Sequence, residues 1–166
     1  PIYAKAAADL GQLISKTNST LVYGGGNIGL MGILADEVLK TSGKVIGVIP
    51  DFLVKREVGH QGLTQLEIVS SMHERKKRMA DLSDAFIAMP GGWGTLDELA
   101  EILTWKQLHL IQTKVGLLNI NSFFDPLIDQ MNKMVTEGFL QDINLKELVT
   151  AENPSSLLTS LGVVTV

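Results

Sequence analysis

Short β-branched runs alternate along the chain with longer amphipathic stretches. Thr20-Leu-Val-Tyr23, Lys44-Val-Ile-Gly-Val-Ile49, Leu66-Glu-Ile-Val69, Ala85-Phe-Ile-Ala-Met89 and Val115-Gly-Leu-Leu-Asn-Ile120 read as strands. Several are apolar at nearly every position, the pattern of strands covered on both faces. Between them, apolar residues recur at helical spacing over 2–16, 29–41, 71–83, 95–110 and 124–137. An extended piece near Leu148 and a helix from about Pro154 complete the pattern. Strand–helix alternation with buried strands predicts an α/β fold, a doubly wound parallel sheet with helices on both faces. Pro1 leads straight into a helix, so the pattern predicts that the usual opening strand is missing from the chain. No repeat, low-complexity tract or linker interrupts the 166 residues, which are expected to form one domain.

Composition narrows the function classes. With 45% hydrophobic and 19% charged residues, the chain can bury a substantial single core. Fourteen Lys+Arg against eighteen Asp+Glu give a net charge of −4, without the broad basic surface that non-specific nucleic-acid binding requires. The chain has no cysteine, which removes disulfides, thiolate catalysis and thiolate metal sites, and suits a cytoplasmic protein. Its longest apolar stretches fall far short of the ~20 residues that span a bilayer, so no membrane partner is expected. His60, His73 and His109 show no metal-ligand spacing and are expected to be structural or exposed. The methionines read as core filler.

Sixteen glycines are unevenly spread. In Tyr23-Gly24-Gly25-Gly26-Asn27-Ile28-Gly29, between a strand and a helix, Gly24, Gly26 and Gly29 match the dinucleotide fingerprint G-x-G-x-x-G. Such glycines let backbone N–H groups approach an anion at the positive end of a helix. Gly24, Gly25 and Gly26 are therefore candidates for a phosphate loop, although a tight turn with close helix packing accounts for them equally. The acidic residue expected at the end of the next strand is absent, since that strand ends Ile49-Pro50 with Asp51 beyond it. This disfavours a nicotinamide cofactor. The second loop, Met89-Pro90-Gly91-Gly92-Trp93-Gly94-Thr95-Leu96-Asp97-Glu98, is more specific. Thr95-x-x-Glu98 fits a capping box, with Thr95 as N-cap and Glu98 at the third helical position. The box leaves the three preceding glycines unexplained, with N–H groups aimed at a crevice. Open α/β sheets bind ligands at the carboxyl ends of their strands, so both loops are expected to border one crevice.

Helix geometry sorts the charged residues. At ~100° per residue, Leu96, Leu99, Leu103 and Leu110 define a core stripe, from which Asp97 and Glu101 point away. Glu98 lies at the margin of that stripe beside Ile102 and Trp105, where a partly desolvated carboxylate becomes useful as a base or charge stabiliser. Ser71-x-x-Glu74 predicts another capping box. Met72, Met79 and Leu82 mark the buried side of that helix; Arg75 and Lys76 flank it, and Lys77 and Arg78 lie opposite. An inward basic pair at the carboxyl end of a strand suits an anionic partner, to which Arg75 offers a bidentate fork.

Gly24-Gly-Gly-x-x-Gly-Leu-Met-Gly32, Ser71-Met-His-Glu-Arg-Lys76 and Pro90-Gly-Gly-x-Gly-Thr-x-x-Glu98 occur in one order and at set intervals. In this the chain resembles the Lonely Guy family, the cytokinin riboside 5′-monophosphate phosphoribohydrolases, whose members are often labelled lysine decarboxylases. The resemblance runs over nearly the whole chain, including Gly47-Val-Ile-Pro-x-Phe-Leu53 and Val115-Gly-Leu-Leu-Asn119. One departure is that the family opens with a strand and a small Gly/Ser loop that helps to hold the nucleotide phosphate. The resemblance implies a Rossmann-like fold, no cofactor, no metal, and hydrolysis of a nucleoside 5′-monophosphate to free base and ribose 5-phosphate. It carries the catalytic roles to Arg75 and Glu98. Substrate contacts fall on Glu57, Arg75, Lys76, Gly92, Trp93, Gly94, Thr95, Leu96, Asp97, Glu98 and Thr104. It also implies a homodimer with active sites near the interface.

N-glycoside cleavage passes through an oxocarbenium-like state, which calls for negative charge near the ribose, an activated water and a firm phosphate grip. Glu98 suits the first two roles and the N–H groups of Gly92–Thr95 the third, with Arg75 orienting Glu98 and the nucleotide. A second carboxylate has no candidate, because Asp97 and Glu101 face elsewhere; the leaving base would take its proton from another group or from water. A non-catalytic nucleotide sensor would keep the glycines without needing Glu98. A decarboxylase would need a Schiff-base lysine, and no lysine sits in such a context. Thr104 lies ~120° around the helix from Glu98. It is therefore expected to reach the nucleotide of a neighbouring subunit, with exposed Trp105, Leu108 and His109 at the contact. The sequence does not distinguish a prenylated adenine from plain adenine as the base.

Overall fold

A computed structural model describes residues 1–54 and 59–163. They divide into two compact units, Pro1–Ser83 and Asp84–Val163. The first contains α1 (Ile2–Lys16), β1 (Thr20–Tyr23), α2 (Gly29–Lys40), β2 (Lys44–Pro50), α3 (Asp51–Val54), β3 (Gln65–Val69) and α4 (Met72–Asp81). Its strands run parallel in the order β1-β2-β3, with Tyr23 opposite Gly47 and Pro50 opposite Val69. The middle strand, β2, buries Val45, Gly47, Val48, Ile49 and Pro50, residues from both of its faces. A strand covered on two sides needs this unbroken apolar run. Helices α1 and α2 pack on one another through Ala6, Ala7, Leu10 and Ile14 on one side and Leu34, Ala35 and Val38 on the other.

The second unit contains β4 (Ala85–Ala88), α5 (Trp93–Gln107), β5 (Lys114–Leu118), a 3₁₀ turn (Ile120–Ser122), α6 (Asp125–Thr136), α7 (Asp142–Lys146), β6 (Leu148–Ala151) and α8 (Pro154–Leu161). Its strands are also parallel, in the order β4-β5-β6, with Ala88 opposite Leu117 and Leu118 opposite Ala151. Val115 and Leu117 of β5 join Leu99 and Phe124 in a core to which Phe86, Ile102, Leu103, Leu127 and Ile128 add. On the opposite face, Gly116 leaves room for α8: a Cβ there would lie 2.8 Å from Leu157. Helices thus cover both faces, as the alternation predicts.

The predicted strands and long helices all form, β1 and α1 with the predicted ends and the others with ends shifted by at most three residues. β4 ends at Ala88 rather than Met89, β5 at Leu118 rather than Ile120, and α5 runs from Trp93 to Gln107 rather than from 95 to 110. The short helices α3 and α7 and the 3₁₀ turn go unpredicted, because elements of three to five residues carry no readable period. Met131 is core filler as expected, whereas Met31 and Met134 are exposed. Among the described residues, no helix is long and apolar enough to cross a membrane, and no cluster of His, Asp and Glu could hold a metal ion.

Candidate active site

In the first unit, the parallel register brings the carboxyl ends of β1, β2 and β3 to one edge. The loop Gly24–Gly26 leaves β1 there, and α4 begins beyond β3. Ser71 caps α4 by accepting from the Glu74 N–H at 3.1 Å. The Glu74 carboxylate accepts in return from the N–H and hydroxyl of Ser70, at 2.8 and 2.7 Å, which hold its carboxyl below the usual carboxylate range. The predicted box exists, with its return bond one residue earlier than expected.

This start directs Arg75 inward. It is 5% exposed, the one buried residue of α4. Its Nε donates to Val48 O at 3.0 Å and its Nη2 to Gly24 O at 2.8 Å, while Nη1 lies 3.8 Å from Met72 Sδ. A Cβ on residue 24 would lie 2.0 Å from Nη2, so the arginine itself requires glycine there. Gly25 O is also occupied, by the His60 N–H at 3.1 Å. In a trans peptide the C=O and the following N–H point in opposite directions. Pinning the carbonyls of Gly24 and Gly25 therefore turns the N–H groups of Gly25 and Gly26 away from those partners. The wheel correctly turns Arg75 inward, but Met72, Met79 and Leu82 are only half-buried, and three guanidinium nitrogens meet carbonyl oxygens and a thioether. Lys76 is half-buried beside it. On the outer side, Lys77 pairs with Asp81 at 2.8 Å, and Arg78 grips Glu67 through two bonds of 2.6 and 2.9 Å. Glu57 lies outside the described residues.

The second loop is built differently. Helix α5 starts at Trp93 with Gly92 as N-cap and no side-chain cap, which corrects the predicted box: Thr95 is the third helical residue and Glu98 the sixth. The Thr95 side chain instead folds against Gly91, where a Cβ would lie 2.2 Å from its Oγ1. At Gly92 and Gly94 an added Cβ would meet nothing within 4 Å, and neither backbone is left-handed. Nothing among the described residues demands glycine at these two positions. Trp93 between them is 88% exposed.

The covered arc of α5 runs through Glu101, Trp105, Glu98, Ile102, Lys106, Leu99 and Leu103. At 100° per residue this arc spans roughly 200° and centres on Ile102. The leucine stripe placed its centre too far round. Leu96 is consequently 37% exposed, and Leu110, beyond the helix end, 67%. Trp105 is half-buried rather than exposed. Glu98 is half-buried, as expected, and Asp97 faces outward. Glu101, expected to face away, has its Oε2 shut off from solvent. Its i,i+3 spacing from Glu98 was the signal that could have found it. Thr104 lies on the exposed arc and donates to Ala100 O at 2.7 Å, with Leu108 and His109 exposed beyond it.

A family model described as "Possible lysine decarboxylase" matches residues 31–161. A probable cytokinin riboside 5′-monophosphate phosphoribohydrolase of Oryza sativa subsp. japonica is 44% identical over 160 residues, 96% of this chain and 66% of that relative. The chain belongs to the Lonely Guy family. A second Lonely Guy relative, the cytokinin riboside 5′-monophosphate phosphoribohydrolase LOG7 of Arabidopsis thaliana, is 41% identical over 161 residues, 97% of this chain and 74% of its own length. The chain thus spans 66 to 74% of these two Lonely Guy relatives. Among solved structures, a molybdenum cofactor binding protein from Rippkaea orientalis superposes with a TM-score of 0.72 at 24% identity, over 98% of this chain and 87% of that one. That likeness bears on the α/β fold alone.

Proposed function

We propose that this chain hydrolyses the N-glycosidic bond of adenosine 5′-monophosphates, N6-substituted or plain, to the free base and ribose 5-phosphate. The observation that carries the reading is the start of α5. Gly92 and Gly94 leave open space that the described residues do not fill, at the positive end of a helix whose sixth residue is the half-buried Glu98. Open N–H groups at a helix N-terminus suit a phosphate, and a carboxylate held away from bulk water suits a positively charged ribose. The name shared by the relatives at 41 to 44% identity supports the same reaction.

In this reading Glu98 stabilises the oxocarbenium-like ribose and takes a proton from the attacking water, whose hydroxyl joins C1′. The departing base takes up the balancing proton. Gly92, Trp93, Gly94, Thr95, Leu96 and Asp97 line the nucleotide, Gly24–Gly26 support its phosphate, and Arg75 with Lys76 supplies positive charge. Residues 1–166 act as one nucleotide-binding α/β domain, and the lack of cysteine suits work in the cytoplasm. The exposed arc of α5 carries Leu96, Ala100 and Thr104, with Leu108 beyond. A homodimer with shared active sites would cover the exposed apolar side chains here, Leu96 and Leu108, and bring Thr104 to a neighbouring site.

The test compares AMP with adenosine. Binding energy from a remote phosphate organises the reacting centre, so adenosine should be cleaved at least about a hundredfold more slowly in kcat/KM. Comparable rates on the two substrates would remove the anion role from both glycine loops.

A further inference from the structure

The first glycine loop is held from a second direction by His60. Besides the bond from its main-chain N–H to Gly25 O, Gly26 forms an isolated antiparallel bridge with Gly59. The His60 imidazole, only 9% exposed, is fixed at both ring nitrogens. Gly62 N–H donates to Nδ1 at 3.0 Å, which leaves the ring proton on Nε2, and Nε2 donates to Asp36 Oδ1 at 2.8 Å. Asp36 belongs to α2, the helix into which the loop runs. One side chain therefore ties the 59–62 turn to the helix that follows the loop, while its own backbone holds the loop's middle carbonyl. Asp36 also faces the residue before the loop: burial and then the Asp36 charge push the Tyr23 phenol up.

We propose that His60, anchored by Asp36, is a positioning residue for the first glycine loop, fixing the Gly25 and Gly26 N–H groups toward the phosphate of the nucleotide. The proposal rests on the phosphate role read above for that loop. Arg75 pins the Gly24–Gly25 peptide and His60 the Gly25–Gly26 peptide; either peptide left unpinned can rotate and carry its N–H out of line. His60 touches no reacting atom.

The test uses the full chain with His60→Ala, His60→Gln, Asp36→Ala and the Asp36→Ala/His60→Ala double variant. Two quantities are read: amide exchange over residues 23–29, and KM and kcat with AMP. His60→Ala should speed exchange at Gly25 and Gly26, raise KM about tenfold and leave kcat within about twofold. Asp36→Ala should do the same, and the double variant should add nothing, because both act through one contact. His60→Gln, which keeps a donor near the place of Nε2, should recover most of the loss. A merely structural His60 would lower Tm and the active fraction but leave the KM of the folded molecules unchanged. That result, or unchanged loop exchange, overturns the positioning role. A parent chain that binds no AMP overturns the phosphate role itself, and with it the purpose assigned to His60.

Discussion

Gly24–Gly26 and Gly91–Gly94 look alike in sequence, each a glycine run between a strand and a helix, yet they answer opposite demands. The first is shaped from within. Its carbonyls are gripped by Arg75 and by the His60 backbone, and Gly24 is glycine because a guanidinium occupies the place of its side chain. Among the described residues, the second is shaped by a neighbour at Gly91 alone, and Gly92 and Gly94 face open space. A glycine required by the interior reports on the scaffold. A glycine that the interior does not require reports on something that comes from outside.

Breaking the first loop should have the largest effect on stability. Arg75→Ala strips partners from two buried carbonyls and should lower unfolding free energy by about 3 kcal/mol in urea titration. Gly24→Ala should follow it in direction. An Arg75→Ala chain as stable as its parent, with only activity lost, would mean that the first loop is not held from inside and that the two loops are alike.

The second loop should separate the two quantities. Gly94 is helical, and alanine is favoured over glycine in a helix by up to ~1 kcal/mol, so Gly94→Ala should keep or raise Tm. The added methyl occupies space assigned to the nucleotide, so AMP cleavage should fall. Full activity in Gly94→Ala would assign that space to solvent.

The smallest effect belongs to Arg78, which isolates the inner cation of α4 from the outer one. Arg78→Ala should leave AMP kinetics unchanged and lower Tm slightly by releasing Glu67. Hydrogen bonds from Arg78, more than its charge alone, hold the Glu67 carboxyl below its ordinary 4.5. The pair's contribution is therefore complete above that value and fades as pH falls through the lowered one. The Tm gap between Arg78→Ala and the parent should close in acid; a gap that persists would show that Arg78 acts through something other than Glu67.

Much of this was legible in the sequence, and the failures have physical causes. Alternating runs located each described strand and long helix, most plainly β2 and β5, where burial on two faces leaves an unbroken apolar run. The wheel found Arg75 inward and Glu98 half-buried. It could not foresee that three Arg75 nitrogens meet Val48 O, Gly24 O and the Met72 thioether, since main-chain carbonyls leave no mark in the side-chain code. Leucine identity misjudged α5, whose covered side includes Glu101 and Lys106 while Leu96 sits at its exposed rim. The predicted cap at Thr95 failed for a related reason: glycine at 92 can begin a helix without any side chain, and that moved the cap back three residues.

Product analysis tests the central claim most directly. The parent chain and Glu98→Gln would each be incubated with AMP and with isopentenyladenosine monophosphate, and base and sugar phosphate quantified together. Glu98 is the sixth helical residue and glutamine is nearly its equal in size, so the variant should keep the fold, which Tm and circular dichroism would check. The account predicts free base and ribose 5-phosphate in equal amounts from the parent and a loss of about a hundredfold to a thousandfold in Glu98→Gln. A parent chain that binds these nucleotides and returns them intact, or a Glu98→Gln chain that cleaves them at the parental rate, would contradict it.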